Sequence, residues 1–377
     1  MTKLFRITTY PISLQNLLRG QPHFFSRHFE FTAISNVGPE LTEVQNREGI
    51  RTIGLSMTRK ITPLRDLISL YHMTHLFSKE KPDIVHTHTP KAGLIGMLAG
   101  WLTRRPKRIH TVAGLPLMAT KGIKKQVLIG IEKLTYACAT TVIPNSKGLH
   151  TYLIEKKLCA TQKILFLEPG SSNGIDLEYF SREAIRMKIT ETKKNLRLDA
   201  SHFIFIFAGR ITRDKGINEL VHAFCRLAEH DPNIRLLIIG DFDYGLNPID
   251  INTKTTLTTH PQIILNEFQA DVRPYLALAN ILVLPSYREG LPQIVLQACA
   301  LDTPCIVSDI MGCNEIIDSE NGQLIIPRST ESLYQAMYRA ITNPDQVKKW
   351  KSHARASIIR YDQTLVWKKL LNVYTDK

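Results

Sequence analysis

The stretch that decides the fold is I-L-V-L-P-S-Y-R-E-G-L-P-Q-I-V-L-Q-A-C-A, residues 281–300. Its first four residues and Pro285 form a short apolar run, which is typical of a buried parallel strand. A polar turn follows at residues 286–291. Pro292 has the fixed φ suited to a first helical position, and residues 293–300 carry apolar side chains at helical spacing. The pattern therefore predicts a strand, a tight loop and the N-terminus of a helix.

The predicted loop has the chemistry of a ligand site. Free N–H groups and the positive end of the helix dipole can bind phosphate or sugar hydroxyls at such a position. Glu289 lies in the loop with Arg288 as its only charged neighbour in sequence. A carboxylate beside an anion site is useful when it accepts hydrogen bonds from hydroxyl groups. This combination suggests a sugar nucleotide.

The chain has 377 residues, which is a comfortable length for two domains. Its positive charge is uneven: residues 1–176 hold 24 Lys and Arg against 11 Asp and Glu, whereas residues 177–377 hold 24 against 23. Such asymmetry indicates that the first half meets an anionic partner. We find no helix-turn-helix, zinc-finger or aromatic-basic RNA motif, so nucleic acid is disfavoured. Anionic lipid head groups and a lipid-linked diphosphate are the favoured partners.

Other features of the composition narrow the class of protein. The six cysteines lack metal-ligand spacing and are expected to be reduced and buried. Residues 1–3 lead directly into a predicted strand, so we expect no signal peptide. The longest uncharged apolar run, residues 92–102, is too short to cross a bilayer. We expect a cytoplasmic protein associated peripherally with the inner face of the cell membrane.

Strand and helix patterns alternate along the chain, which predicts an α/β protein of two doubly wound, Rossmann-like domains facing a central cleft. A segment dense in turn residues at 168–180 marks the boundary. We assign 1–175 to an acceptor-binding domain, 176–350 to a nucleotide-sugar-binding domain, and 351–377 to a C-terminal helix that packs back on the first. Strands are predicted at residues 4–8, 29–35, 84–87, 109–112, 140–143, 163–167, 203–207, 235–239, 263–265, 281–284 and 304–307.

A second candidate loop is A-G-R-I-T-R-D-K-G, residues 208–216. It follows a predicted strand and precedes a predicted helix, and Arg210 and Lys215 can converge on one point. Two cations there could neutralise the charge that grows on a departing diphosphate. A charged surface loop is the alternative, but the Glu289 loop in the same half favours the ligand site.

The first half contains weaker candidates for an acceptor or sugar pocket. Strand alternation places His86 and His88 on one face, and structural histidines are the favoured interpretation there. Gly20 could let backbone approach a ligand, although a turn glycine is at least as plausible. The weaker candidates are Arg59, His88, Lys91 and His110.

Taken together, these motifs resemble those of the retaining glycosyltransferases of family 4, which have the GT-B fold. The resemblance covers nearly the whole chain. Within the family, the chain most resembles bacterial enzymes of capsule, O-antigen or lipid-linked oligosaccharide synthesis. The matching segments are P-G-S-S-N-G-I-D (169–176), D-I-V-H-T-H-T-P-K-A-G (83–93), G-R-I-T-R-D-K-G (209–216), I-G-D (239–241), S-Y-R-E-G-L-P-Q-I-V-L-Q-A (286–298) and N-E-I-I-D-S-E-N-G-Q-L-I (314–325).

The resemblance implies roles for individual residues. Arg210 and Lys215 would hold the donor diphosphate, and Glu289 would bind hydroxyls of the donor sugar; these three are the expected catalytic residues. Amides of residues 290–292 would assist Glu289, and Gly20 would let the N-terminal loop approach the phosphates. The expected donor-binding residues are Gly20, Gly209, Arg210, Lys215, Gly240, Glu289, Gly290, Leu291, Pro292 and Gln297.

Two positions depart from the family pattern. Gln297 stands where a second glutamate is usual, and its carboxamide can still accept a hydrogen bond from a ribose hydroxyl. Ala113 stands where a histidine is frequent, so no catalytic histidine is carried over. Asp241 and Asp243 have the letters of a metal motif but follow the turn at Gly240. We expect neither a metal nor any other cofactor.

The resemblance implies retaining transfer of a sugar, an N-acetylated or deoxy hexose, from a nucleotide sugar, with UDP favoured, to a polyprenyl-diphosphate-linked saccharide. A non-hydrolysing sugar-nucleotide 2-epimerase on the same fold is one alternative. The basic first half and the Arg210 and Lys215 loop argue against it. A non-catalytic subunit of a transferase complex is the other alternative, and Gln297 keeps it open.

Overall fold

The computed structural model describes residues 1–58, 62–243 and 247–376, which fall into two compact units. The first unit is Met1–Gly174 together with Gln363–Lys377, and the second is Ile175–Asp362. Residues 351–362, which the sequence analysis assigned to the C-terminal tail, are thus part of the second unit. A 3-10 turn at Ile359–Tyr361 interrupts the tail, and only the helix after it belongs to the first unit.

The first unit is built on a parallel six-stranded sheet in the order β3-β2-β1-β4-β5-β6. Its strands are β1 (Lys3–Ile7), β2 (Glu30–Ser35), β3 (Arg51–Gly54), β4 (Ile84–His88), β5 (Lys107–Val112) and β6 (Thr141–Pro144). Its helices are α1 (Gln21–Ser26), α2 (Pro39–Glu48), α3 (Pro63–Glu80), α4 (Pro90–Leu102), α5 (Gly122–Cys138) and α6 (Lys147–Glu155), with α14 (Gln363–Thr375) from the end of the chain.

One predicted strand of this unit is wrong. Residues 163–167 form no strand, and Ile164 makes only an isolated bridge to Val142. The sixth strand is instead β3 at the opposite edge, whose sequence R-T-I-G is too short and too polar to show a strand pattern. An edge strand is held by pairing with one neighbour, here β2, more than by its own apolar residues.

The second unit repeats the design with a parallel sheet in the order β12-β11-β10-β7-β8-β9. Its strands are β7 (Phe203–Ala208), β8 (Ile234–Ile239), β9 (Ile263–Asn266), β10 (Ile281–Leu284), β11 (Cys305–Ser308) and β12 (Gly322–Ile325). Its helices are α7 (Arg186–Asn195), α8 (Ile217–Ala228), α9 (Ile251–Thr259), α10 (Arg273–Leu278), α11 (Gln293–Ala300), α12 (Thr330–Thr342) and α13 (Pro344–Ser357).

Both sheets reverse their strand order beside the first strand of the unit. In the first unit β1 lies between β2 and β4, and in the second β7 lies between β8 and β10. Ligands of open α/β sheets bind beyond the carboxyl ends of the strands at this topological switch point. The switch points therefore direct attention to the segments that follow β1 and β4, and to those that follow β7 and β10.

Candidate functional site

The two loops at the switch point of the second unit are in direct backbone contact. One loop, residues 209–216, follows β7, and the other, residues 285–292, follows β10. Gly216 has φ of +72°, and a Cβ atom there would lie 2.1 Å from the carbonyl oxygen of Pro285. Because no side chain fits, glycine at this position lets the loops approach each other and starts helix α8.

This contact brings together two of the residues expected to be catalytic. Lys215 Nζ donates a hydrogen bond to Glu289 Oε1 over 2.5 Å, across 74 positions of sequence. Their side chains are 20% and 13% exposed, so the ion pair is sheltered but still open to a ligand. The switch point thus presents one cation and one carboxylate side by side.

A buried carboxylate, that of Asp214, links the two loops by hydrogen bonds. Asp214 accepts hydrogen bonds from Thr212 Oγ1 at 2.7 Å and from Arg288 Nη2 at 3.1 Å. Its backbone carbonyl accepts from the amide of Tyr287 at 2.9 Å. Burial alone would raise the pKa of Asp214, but the Thr212 hydrogen bond and the Arg288 charge outweigh it, and the pKa is lowered. Asp214 therefore stays ionised beneath the loops.

Tyr287 adds a second anchor from the same loop. Its hydroxyl donates to Glu219 Oε1 on α8 at 2.6 Å, and Arg328 stacks over its ring at 4.5 Å. Burial, followed by the hydrogen bond to Glu219, raises the pKa of Tyr287, so the phenol remains protonated. The sequence analysis missed the roles of Asp214, Tyr287 and Glu219. Asp214 has a local signal, the Thr212-x-Asp214 spacing of a side-chain turn, whereas Tyr287 and Glu219 meet across 68 positions and have none.

Arg210 has a different partner from Lys215. Its Nη1 donates to Asp243 Oδ2 at 2.9 Å, and Asp243 lies in the loop that follows β8. The close approach of this loop depends on Gly240, because a Cβ atom there would lie 1.9 Å from the carbonyl oxygen of Gly209. The expected convergence of Arg210 and Lys215 on a diphosphate stays a prediction, with each cation now engaged by its own carboxylate.

The helix N-terminus at this site differs in detail from the prediction. Helix α11 begins at Gln293, so Pro292 is its N-cap and not its first helical residue. Pro292 also has no N–H, so the expectation that its amide would donate is wrong. Gly290 and Leu291 are buried residues, and within the described ranges their N–H groups donate to no protein acceptor. Gln297 lies within α11 and is partly exposed.

In the first unit, the histidine pair surrounds a buried arginine. Arg6 is 1% exposed and donates to His86 Nδ1 at 3.1 Å, to His88 Nε2 and to Gln21 Oε1. Because arginine can only donate, His88 Nε2 accepts and its proton lies on Nδ1. Burial, then the Arg6 charge, lowers the pKa of both histidines far below the usual value, so both are neutral.

Helix α14 completes this polar cluster. Tyr374 donates its hydroxyl to His86 Nδ1 at 2.5 Å, and the Arg6 guanidinium lies 5.9 Å from the centre of the Tyr374 ring. His86 Nε2 then donates to Thr111 Oγ1 at 2.7 Å. The structure therefore places His88 in a closed network, with 1% of its surface exposed. Direct contact of His88 with a sugar stays a prediction.

The remaining first-unit candidates are buried or paired. His110 is buried, bonds Thr87 Oγ1 through Nδ1 at 2.8 Å, and has its pKa lowered by burial to about 4. Lys91, at the start of α4, forms an ion pair with Asp66. Arg59 lies outside the described residues. The structure thus brings none of His88, Lys91 and His110 to a free surface.

Gly20 lies in the first unit, whereas the other expected donor-binding residues lie in the second. Its φ is +77°, and its N–H donates to Glu48 Oε1 at 3.1 Å. A Cβ atom at this position would lie 3.0 Å from the Trp367 ring of α14. The left-handed backbone of the turn at the start of α1 is sufficient to explain a glycine at position 20.

In the part of the chain that the structure describes, no group of three or more His, Cys, Asp or Glu residues could hold a metal ion. The two aspartates with the letters of a metal motif have other partners. Asp241 Oδ1 accepts from the amide of Phe268 at 3.0 Å, and Asp243 pairs with Arg210.

Comparison with known proteins agrees with this architecture. A model described as "Glycosyl transferase 4-like domain" matches residues 15–170, and one described as "Glycosyl transferases group 1" matches residues 188–357. A Staphylococcus aureus protein, "Capsular polysaccharide biosynthesis glycosyltransferase CapM", is 32% identical over 99% of this chain and 96% of its own length. The chain belongs to the family 4 glycosyltransferases. The family expected from the sequence is therefore confirmed.

Other relatives of this glycosyltransferase are informative. An Escherichia coli protein named "UDP-Gal:alpha-D-GlcNAc-diphosphoundecaprenol alpha-1,3-galactosyltransferase" is 31% identical over 75% of this chain and 73% of its own length. Among solved structures, Anabaena HepE in complex with UDP has a TM-score of 0.79 at 17% identity, covering 99% of this chain and 100% of that one. WaaG, involved in lipopolysaccharide biosynthesis, has a TM-score of 0.74 at 13% identity, with coverage of 99% and 100%. The GT-B fold, with two Rossmann-like domains, is confirmed.

Proposed function

We propose that this glycosyltransferase moves a sugar from a UDP-sugar to a polyprenyl-diphosphate-linked saccharide, with retention at the anomeric carbon and without a metal. The observation that carries the proposal is the Lys215–Glu289 pair at the switch point of the second unit. The E. coli relative is named for UDP-Gal and a diphosphoundecaprenol acceptor, and HepE is solved with UDP. Both names support the choice of nucleotide, and the first supports the choice of acceptor.

The proposed roles follow from charge and hydrogen-bonding capacity. Lys215 and Arg210 neutralise the donor diphosphate, and Glu289 accepts hydrogen bonds from hydroxyls of the donor sugar. The N–H groups of Gly290 and Leu291 are donors aligned with the N-terminal end of α11, where negative charge is stabilised. When the donor binds, it separates Lys215 from Glu289: the lysine gains the negatively charged diphosphate as its partner, and the carboxylate gains the hydrogen bonds of the sugar hydroxyls.

The proposed reaction exchanges one C–O bond for another. The bond from the anomeric carbon to the UDP β-phosphate oxygen breaks, and a bond from that carbon to an acceptor hydroxyl oxygen forms on the same face. The hydroxyl proton passes to a phosphate oxygen of the departing UDP. Positive charge from Arg210 and Lys215 stabilises the negative charge that grows on the leaving group, which is the function a metal ion would otherwise serve.

A donor screen tests the proposal. Purified protein is incubated with UDP- and GDP-hexoses, N-acetylhexoses and deoxyhexoses, with and without synthetic polyprenyl-diphosphate saccharides, and nucleotide release is measured in EDTA. We expect acceptor-dependent UDP release that Glu289→Ala and Arg210→Ala each reduce by about 10²–10³-fold. Arg226→Ala, which removes an exposed ion pair with Glu331, is the matched control and should retain activity.

Other results of the screen would contradict the proposal. An inverted anomer in the product would exclude retention, and activity that EDTA abolishes would exclude metal independence. An isomerised sugar nucleotide formed without acceptor would identify an epimerase. Binding of UDP without turnover of any donor would identify a binding subunit.

We further propose that the outer face of the first unit binds an anionic membrane surface. Leu64, Leu67, Ile68 and Tyr71 on α3 follow the i, i+3, i+4, i+7 spacing of one helix face, yet they are 57–79% exposed. On α5, which packs like α3 against α4, Ile123 and Val127 are exposed beside Lys121, Lys124 and Lys125. Apolar residues next to lysines are typical of an interfacial surface. No helix among the described residues is long and apolar enough to span a bilayer.

Vesicle flotation tests this second proposal. The wild type should float with vesicles containing phosphatidylglycerol and remain unbound with phosphatidylcholine alone, because the lysines require negative charge. Leu67→Ser with Ile68→Ser should reduce binding by at least about tenfold, since two apolar side chains leave the interface. Ile251→Ser, at an even more exposed apolar residue of the second unit, is the control. Self-association without vesicle binding would instead identify the face as a contact between copies.

A further inference from the structure

Asp243 has no role in the proposed reaction, although it holds one of the two cations assigned to the diphosphate. The Asp243 carboxylate accepts from Arg210 at 2.9 Å, with the two side chains 22% and 44% exposed. A donor diphosphate that engages Arg210 must therefore compete with this carboxylate. Unlike Glu289, Asp243 follows β8 and is not part of either switch-point loop.

The position of Asp243 is set by backbone pairing. The amide of Ile211 donates to the carbonyl of Asp241 at 2.9 Å, and the amide of Asp243 donates back to the carbonyl of Ile211 at 3.5 Å. These bonds form an isolated parallel bridge between Ile211 and Phe242. Because Arg210 immediately precedes Ile211, the bridge holds Asp243 beside the arginine. The backbone bridge therefore sets the position of the Arg210–Asp243 ion pair.

We propose that Asp243 is a gating residue for the nucleotide diphosphate: it holds Arg210 while the site is empty and returns to it as the product leaves. The inference rests on the proposed function, because it takes Arg210 as a ligand of the diphosphate. A diphosphate carries more negative charge than one carboxylate and can engage several N–H donors of Arg210, so it displaces Asp243. The competing carboxylate weakens UDP binding and speeds UDP release, which favours turnover.

Equilibrium titration and stopped-flow release of UDP test the gate. We expect Asp243→Asn to tighten UDP binding about three- to fivefold, the effect of removing one exposed ionic competitor, mainly through slower dissociation. In an Arg210→Ala background the same substitution should change UDP affinity less than about 1.5-fold, because the competition no longer exists. Asp250→Asn, which removes a neighbouring but more exposed ion pair with Arg213, is the control and should leave UDP affinity unchanged.

The outcomes separate this inference from the proposed function. If UDP binds, Arg210→Ala weakens it, and Asp243→Asn leaves it unchanged or weaker, the gate is excluded while the donor site stands. If Asp243→Asn tightens UDP equally with and without Arg210, the carboxylate acts by general repulsion and the gate is also excluded. If the wild type binds no nucleotide diphosphate, the donor site and the gate fail together. Should Asp243→Asn alter the melting temperature, Asp243→Ser provides the same test.

Discussion

The two switch points of this glycosyltransferase share one topology and use charge in opposite ways. At the first, Arg6 is buried among neutral partners, and no carboxylate of the described residues lies within ion-pair distance of it. At the second, Lys215 and Arg210 are each paired with a carboxylate and partly exposed. An identical strand order therefore does not determine whether a switch point is open to a ligand.

This difference in exposure follows from what covers the carboxyl ends of the strands at each switch point. Helix α14 lies over the first, where Tyr374 bonds His86 and where Trp367 donates to Asn173 Oδ1 at 2.8 Å. A cation enclosed in this way is stabilised by hydrogen bonds and aromatic rings, and exchanging its partners is costly. In the second unit the pairs are accessible, so a phosphate can replace a carboxylate at small cost.

The largest expected effect compares one lysine from each unit. Lys215→Met should reduce transferase activity about 10²–10³-fold and weaken UDP binding at least about tenfold, because it removes positive charge from the donor diphosphate. Lys91→Met breaks a similarly sheltered ion pair, with Asp66, in the first unit. It should leave UDP affinity within about twofold, as measured by titration. Equal loss of UDP affinity in both variants would contradict the assignment of the donor to the second unit.

A second comparison concerns two glycines with left-handed backbone. Gly216 and Gly49 have φ of +72° and +64°, but a Cβ atom would lie 2.1 Å from a carbonyl oxygen at Gly216 and would meet nothing within 4 Å at Gly49. Gly216→Ala should lower the free energy of unfolding by about 3 kcal/mol or more, since strain and collision add. Gly49→Ala should cost about 1 kcal/mol. Denaturant unfolding measures both, and equal losses would show that the switch-point loops are not tightly packed.

The prediction with the smallest effect at neutral pH concerns His110, a buried histidine of the first unit that lowers stability in acid. His110 has a folded-state pKa of about 4 against an ordinary 6.5, so the unfolded chain binds more protons between these values. Its contribution is complete above pH 6.5 and is lost as the pH falls, by about 3 kcal/mol at pH 4. His110→Gln should flatten this slope in unfolding experiments. An unchanged slope in this variant would contradict the assignment to His110.

Glu132 on α5 has the opposite pH dependence. Burial raises its pKa to about 7, so the folded chain retains a proton that the unfolded chain has released above pH 4.5. Its contribution to stability is complete at low pH and is lost as the pH rises through 7. The two residues therefore limit the pH range in which the first unit is stable: His110 lowers stability on the acid side, and Glu132 lowers it on the alkaline side.

Much of the fold could be predicted from local patterns. Residues 281–284, predicted as a strand, are β10 with the same bounds, and the helix predicted from Pro292 to Ala300 is α11, which begins one residue later at Gln293. The patterns failed at β3 and β12, which no predicted strand covers, and at residues 163–167, where a short apolar run makes only the isolated bridge between Ile164 and Val142. Edge segments depend on long-range pairing that a local window does not contain.

By itself, the sequence determined the α/β class, most of the strands and helices, the loops at the carboxyl ends of β7 and β10, and the family. Apolar periodicity and glycine positions are local properties of the chain, so they can be read without the fold. Only the tertiary structure decided the partners: Glu289 for Lys215, Asp243 for Arg210, and an enclosed histidine pair for Arg6. These contacts join residues that lie 33 to 82 positions apart, and they are selected by strand register and loop packing, which the whole fold sets.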